Sequence, residues 1–189
     1  MYHEHNVPIE PKIAGLLCSA ILSDTLMFRS PTCTPLDRAA AEELAQIAGL
    51  DIREYATEMF RSSSRLRDRS MDELFHMDFK YFQVQNKKIA ISQLTSVSEN
   101  ELNGIRDKML DYMEDYLKTS GLSMQFVMLT NIIEEKTELL YVGRGAKNLV
   151  HTAFRKECGE HSVVLPGVVS RKKQMVTPLL SAMEEEGTM

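Results

Sequence analysis

Three consecutive cations, Arg171, Lys172 and Lys173, stand in the segment SRKKQ between Ser170 and Gln174. Like charges placed side by side need either water or an anion. A guanidinium presents a planar fork that grips an oxyanion with two parallel hydrogen bonds, and an ammonium adds a compact point charge, so this trio is a candidate phosphate clamp. The competing reading is a solvated surface loop. Lys80, a lone lysine in the strongly apolar strand setting of HMDFKYFQV, is a second cation of interest, although a lone strand lysine also serves to protect a sheet edge or to snorkel.

A carboxylate raises the complementary question. Asp24 is the second residue of SDTLMFRSPTCT, Ser23 to Thr34, which follows the uncharged run IAGLLCSAIL. If the run is helical, Asp24 lies at the end where the helix dipole disfavours negative charge. It then serves as a metal ligand, or it is a partly exposed residue bonded to the turn SPT. Two weaker constellations complete the set. Backbone amides of VGRGAKNLV, Val142 to Val150, could cradle a phosphate, but the spacing is not that of a phosphate loop, and an ordinary strand-to-helix turn accounts for it. HEH at His3 to His5 could bind a metal or stand solvated near a polar terminus.

The elements that position these residues are readable from periodicity and caps. Thr34, Pro35, Asp37 and Gly49 mark the two ends of a helix with Leu36, Ala40, Leu44 and Ile47 on one face. Asp51 with Glu54 predicts a capping box for the next helix, whose buried side is Ile52, Tyr55, Met59 and Phe60. Polar, serine-rich RSSSRLRDRS, Arg61 to Ser70, predicts a linker between two cores. Without interleaved aromatics its arginines do not make a nucleic-acid arm.

Ser70 and Glu73 then box a short helix, and the period changes to two. FKYFQV and KIAISQLTSV flank QNK as a hairpin. Ser98 with Glu101 starts a long helix ending near Gly121, with Leu102, Ile105, Met109, Met113 and Leu117 in one stripe. MQFVMLTNI, TELLYVG and HSVVL are strands, AKNLVHTAFRKE is a helix, GVV is strand-like with SRKKQ in the loop after it, and QMVTPLLSAMEEE closes with a helix. Strands alternating with helices predict an α/β sheet covered on both faces.

Composition narrows the classes. An apolar share of 43% over 189 residues suffices for a packed core, and a net charge of -5 argues against a general polyanion binder, so any anion site is local. No run approaches the length of a membrane span, and the N-terminus lacks signal-peptide order, which makes the expectation a cytoplasmic chain with neither membrane nor nucleic-acid partner. Cys18, Cys33 and Cys158, at unrelated spacings, suit reduced thiols.

Taken together, AGLLCSAILSDTLMFRSPTCTPLD, AAEELAQIAGLDIREYATEMF and GVVSRKKQMVTPL resemble the family II inorganic pyrophosphatases, manganese-dependent members of the DHH phosphoesterase superfamily. The resemblance runs over essentially the whole chain. It implies the end of a DHH-type α/β catalytic domain over residues 1–60, a linker and hinge over 61–70, and the complete, smaller, DHH-associated domain over 71–189, with a mixed sheet covered by helices.

By resemblance, Asp24 is a carboxylate ligand to two activating Mn2+ ions, with Co2+ or Mg2+ as possible substitutes, and Arg171 and Lys172 are the pair that grips pyrophosphate. Lys80 aligns with a further substrate lysine. Asn131 departs from the family's aspartate and receives no role. Larger departures are the family's histidine and aspartate segment at the N-terminus, its next metal-binding aspartate and its DHH motif, none of which has a counterpart here. The expectation is therefore a C-terminal portion of a pyrophosphatase, inactive alone, that needs the missing N-terminal portion or self-associates. An anion-binding or partner-binding remnant and an exopolyphosphatase-type DHH enzyme are the alternatives.

Overall fold

A computed structural model describes residue 5, residues 7–64 and residues 66–186. Of the HEH candidate, His3 and Glu4 lie outside the described residues, and His5 is exposed. The chain divides into two compact units, residues 1–63 and 64–189.

The first unit contains α1 (Pro11–Asp24), α2 (Pro35–Ala48) and α3 (Ile52–Ser64). Capping sets α2 as expected. Thr34 Oγ1 accepts from Asp37 N, Asp37 Oδ2 accepts from Thr34 N, Pro35 opens the helix, and Gly49 closes it at a left-handed φ of 69°. The cap of α3 is one-way, with Asp51 Oδ1 accepting from Glu54 N at 2.8 Å. Burial departs from the expected stripe, for Ala41, Leu44 and Ala45 face inward and Leu36 is 76% exposed. Small alanines at the contact let α1 and α2 approach closely, so the buried arc follows the alanines rather than Leu36. On α1, Ala14, Cys18 and Leu22 are buried, and burial raises the Cys18 thiol pKa.

The stretch expected as a free linker is ordered at both ends. Residues 61–64 continue α3, and Leu66–Asp68 form a 3-10 turn. Leu66 is fully buried in the second unit's core, and its N–H donates to Glu101 Oε1 at 2.7 Å. One apolar side chain in an otherwise polar run is enough to anchor it.

The second unit has α4 (Met71–His76), β1 (Phe79–Val84), β2 (Lys87–Ser96), α5 (Glu99–Ser120), β3 (Met124–Asn131), β4 (Lys136–Gly143), α6 (Ala146–Phe154), β5 (Ser162–Pro166), a π-helical turn (Arg171–Val176) and α7 (Thr177–Glu186). Its five strands lie in sequence order, and every pair is antiparallel except β2 and β3. That parallel pair is joined by α5, because a parallel connection must cross over the sheet. The α/β fold with a mixed sheet covered by helices is as expected.

Alternation along the strands fills both faces. Ile89, Ile91, Met124, Phe126, Met128, Leu139 and Tyr141 meet α6, the π-helical turn and α7, while Leu94, Val127, Leu129, Leu140 and Val142 meet Leu66, α4 and α5. The expected stripe of α5 is buried through Met113, but its capping box is absent. Ser98 makes no side-chain cap, and both oxygens of Glu101 are engaged, one by Leu66 N and the other by Ser96 Oγ at 2.6 Å. Asn131, given no role above, accepts from Ile133 N and Glu134 N, closing the turn between β3 and β4.

The glycines of VGRGAKNLV have a backbone reason. Gly143 has φ of 114°, and a Cβ there would come within 2.4 Å of the Ser123 carbonyl oxygen. The segment after β5 corrects the sequence reading. GVV forms no strand, and SRKKQ is not a loop but the start of the π-helical turn that leads directly into α7.

Candidate functional site

Candidate residues occur in both units. In the first, Asp24 is the last residue of α1, exposed, with its backbone leading into a tight turn. Leu26, Met27 and Phe28 have φ of 49°, 54° and 66°, the left-handed region that side chains ordinarily avoid. Three such residues in succession persist only where the surroundings hold them.

The motif hydroxyls supply that hold. Buried Thr25 donates from Oγ1 to Ile21 O at 2.7 Å and accepts from Phe28 N at 3.2 Å. Ser30 N donates to Thr25 O at 2.8 Å, and the Ser30 and Thr32 hydroxyls bond each other at 2.7 Å. Thus the turn is closed by Thr25, Ser30 and Thr32. Asp24 takes no part in it, since its carboxylate has no hydrogen-bond or ion-pair partner among the described residues. The plainer reading of Asp24, a residue bonded to SPT, therefore does not describe the molecule.

In the second unit Arg171 is bonded beside the edge strand β1, which carries Lys80. Arg171 follows Ser170, whose hydroxyl accepts from Lys173 N at 3.4 Å. Its side chain is 13% exposed and turns back onto the sheet. Nη1 donates to Asp78 O at 2.7 Å and to Ile91 O at 3.3 Å, and Nη2 reaches Asp78 Oδ1 at 2.8 Å. Ile91 is the cross-strand partner of Lys80. Phe82 and Val84, two and four residues beyond Lys80, pack on the same core as Met175 of the π-helical turn, so Lys80 emerges on the face to which Arg171 is bound. Lys80 and Lys172 are both exposed. The structure thus ties Arg171 to the β1 edge on the face that carries Lys80, while Lys172 is the exposed residue after Arg171 in the chain.

Two glutamines that the sequence reading passed over fix this arrangement. Buried Gln93 donates from Nε2 to Thr130 Oγ1 and Val169 O and accepts from Arg171 N on Oε1, while its backbone N–H donates to Asp78 O. Gln174 accepts from Val169 N and Ser170 N and donates to Gly167 O. The Gln93 amide nitrogen donates twice and its oxygen accepts once, and the Gln174 oxygen accepts twice. Neither glutamine is marked by its sequence surroundings, since Gln93 stands between Ser92 and Leu94 in a strand of mixed polarity.

As for metals, among the described residues no group of three or more His, Cys, Asp or Glu side chains is arranged to hold an ion. A single exposed carboxylate does not make a two-metal centre, so the donor set present does not fit one. Among the described residues, no helix is long and apolar enough to cross a membrane.

Comparison with known proteins identifies the family. Residues 57–182 match the DHHA2 domain. The chain belongs to the DHHA2 domain family. It is 39% identical over 97% of its length to a Clostridium acetobutylicum protein named as a manganese-dependent inorganic pyrophosphatase, and 39% identical over 94% to a cobalt-dependent inorganic pyrophosphatase of Clostridium perfringens. The chain spans 59% and 32% of those two relatives. A solved Methanococcus jannaschii structure described as a family II inorganic pyrophosphatase superposes with a TM-score of 0.80 at 38% identity, covering 94% of this chain and 57% of that one. The resemblance carried by SDTLMFRSPTCT and SRKKQ is therefore borne out, with this DHHA2 chain corresponding to a C-terminal portion of such proteins.

Proposed function

We propose that this chain is the phosphate-gripping portion of a divalent-metal-dependent inorganic pyrophosphatase. What supports the reading is that Arg171 is bonded to Asp78 and to Ile91, the cross-strand partner of Lys80, with Lys172 next to it in the chain. Names of the relatives supply the substrate class and the metal dependence. In this reading residues 1–60 belong to a catalytic domain and residues 71–189 to a substrate-binding domain.

In this reading Arg171, Lys172 and Lys80 bind the phosphoryl oxygens and offset the negative charge that grows on them as the bridging bond breaks. Asp24 contributes one carboxylate ligand to the metal. Held at the end of α1 by a turn that leaves its oxygens unengaged, it is available for that role. No further ligands are grouped with it among the described residues, so no hydrolytic step is assigned to the chain alone.

The test is phosphate release from pyrophosphate with manganese and magnesium in excess. The chain alone is expected to give negligible turnover. Fused behind the N-terminal portion of the Clostridium acetobutylicum relative, it is expected to give manganese-dependent hydrolysis that Asp24→Ala abolishes. Turnover by the chain alone in the ordinary enzymatic range of ~1 to 10³ per second contradicts the reading. So does a folded, manganese-binding fusion that stays fully active with Asp24→Ala.

A further inference from the structure

Asp78 is the acidic partner of Arg171, and nothing above gives it a part in function. Its carboxylate lies 2.8 Å from Arg171 Nη2 and is half exposed, whereas the arginine side chain is nearly buried. The guanidinium has other anchors, since Nη1 bonds the carbonyls of Asp78 and Ile91, and the Arg171 backbone N–H is held by Gln93. These attachments are to neutral oxygens. The Asp78 carboxylate is thus not needed to keep Arg171 in place. It adds a resident negative charge on the group that a phosphate oxygen would seek.

We infer that Asp78 is a built-in counter-ion of the clamp, a carboxylate that occupies Arg171 and weakens its hold on any incoming oxyanion. This rests on the reading of Arg171 as a phosphate ligand. An anion reaching Arg171 shares the guanidinium with Asp78 or displaces it, and in either case it meets the repulsion of a like charge. The cost falls on any phosphate-bearing anion, substrate and product alike, so the device limits how tightly each is retained. Half exposure of Asp78 gives the displaced carboxylate water to turn into, so no buried charge is stranded by the exchange.

The experiment is calorimetric titration of the full chain with inorganic pyrophosphate at low salt, for the unaltered chain, Asp78→Asn, Arg171→Ala and the double variant. Asparagine keeps the size and the acceptor oxygen while removing the charge. Expected is tighter binding by Asp78→Asn, roughly two- to fivefold, the range of a partly exposed charge pair. The gain should vanish in the double variant and shrink as salt is raised. A purely structural role for Asp78 would not produce a gain that depends on Arg171. Unchanged or weaker binding by Asp78→Asn, with Arg171→Ala still impaired, overturns this inference and leaves the clamp standing. Binding that is absent in every form, or indifferent to Arg171→Ala, overturns the clamp and this inference together.

Discussion

The Asp24 turn and the Arg171 segment present single charged groups by opposite means. Around Asp24 the bonds are local, Thr25 to Ile21 and Phe28, and Ser30 to Thr25 and Thr32, all within a few residues. Around Arg171 they are remote. Gln93 stands 78 positions earlier in the chain, and Asp78 stands 93 positions earlier. A turn closed by its own hydroxyls carries its geometry wherever its helix goes. A segment tied to the middle of a sheet has its geometry only when that sheet is formed. Disturbances of the first should therefore stay local, and disturbances of the second should travel.

The largest expected effect is that of Gln93→Ala. It strands the Arg171 amide and the Val169 carbonyl and removes a partner of Thr130, all in a buried setting. By the cost of unsatisfied buried groups, the loss is about 2–4 kcal/mol. Urea unfolding of the full chain followed by circular dichroism measures it. A loss below about 0.5 kcal/mol, the level of an ordinary surface substitution, would mean that Gln93 does not organise the segment.

Thr25→Val is the matching change in the first unit. It keeps the shape of the side chain while removing two hydrogen bonds, for about 1–2 kcal/mol. Amide hydrogen exchange should accelerate over residues 25–33 and leave the strands of the second unit untouched. Acceleration in β2 or β3 would break the contrast between local and remote support.

The smallest effect is shared by both units, because each has a cap of the same kind. Hydrogen bonds from the backbone and hydroxyl of Thr34 hold the Asp37 carboxyl below its ordinary pKa, and those of Ser70 do the same for Glu73. With the folded-state value depressed, the contribution is present above the ordinary carboxylate range and is lost as pH falls below about 4, toward the folded-state value. Both side chains are fully exposed, so the effect is slight and screened. Thr34→Ala should remove the acid-side loss from α2 alone, and Ser70→Ala from α4 alone, each read by exchange of the helix's first amides across a pH series. Loss of both pH responses in either single variant would contradict their independence.

What could be read in the sequence follows the same division. Thr34, Asp37 and Gly49 announce α2 because a cap is a matter of spacing, and the hairpin, the α5 stripe and the crossover order follow from period and length. Asp24 stood out because a charge after an apolar run is a local anomaly. Leu36 was misplaced because periodicity finds a face but not the neighbour it meets. The Ser98 and Glu101 box failed because Glu101 had remote partners in Ser96 and Leu66, and Leu66 was hidden in a polar stretch. Asp78, Gln93 and Gln174 carried no spacing signal toward Arg171. Their role exists only through the pairing of β1 with β2 and the path of the chain after β5.

The central claim, that Arg171, Lys172 and Lys80 form one phosphate-binding edge, is tested most directly by titrating the isotope-labelled full chain with pyrophosphate and following backbone and side-chain NMR signals. The account predicts saturable shifts clustered at residues 78–81, 91–93 and 170–174, weakened about tenfold or more in Arg171→Ala, the scale of a lost charge-assisted hydrogen bond. Shifts centred elsewhere in the molecule, or a titration that Arg171→Ala leaves unchanged, would contradict it and return SRKKQ to an ordinary solvated surface.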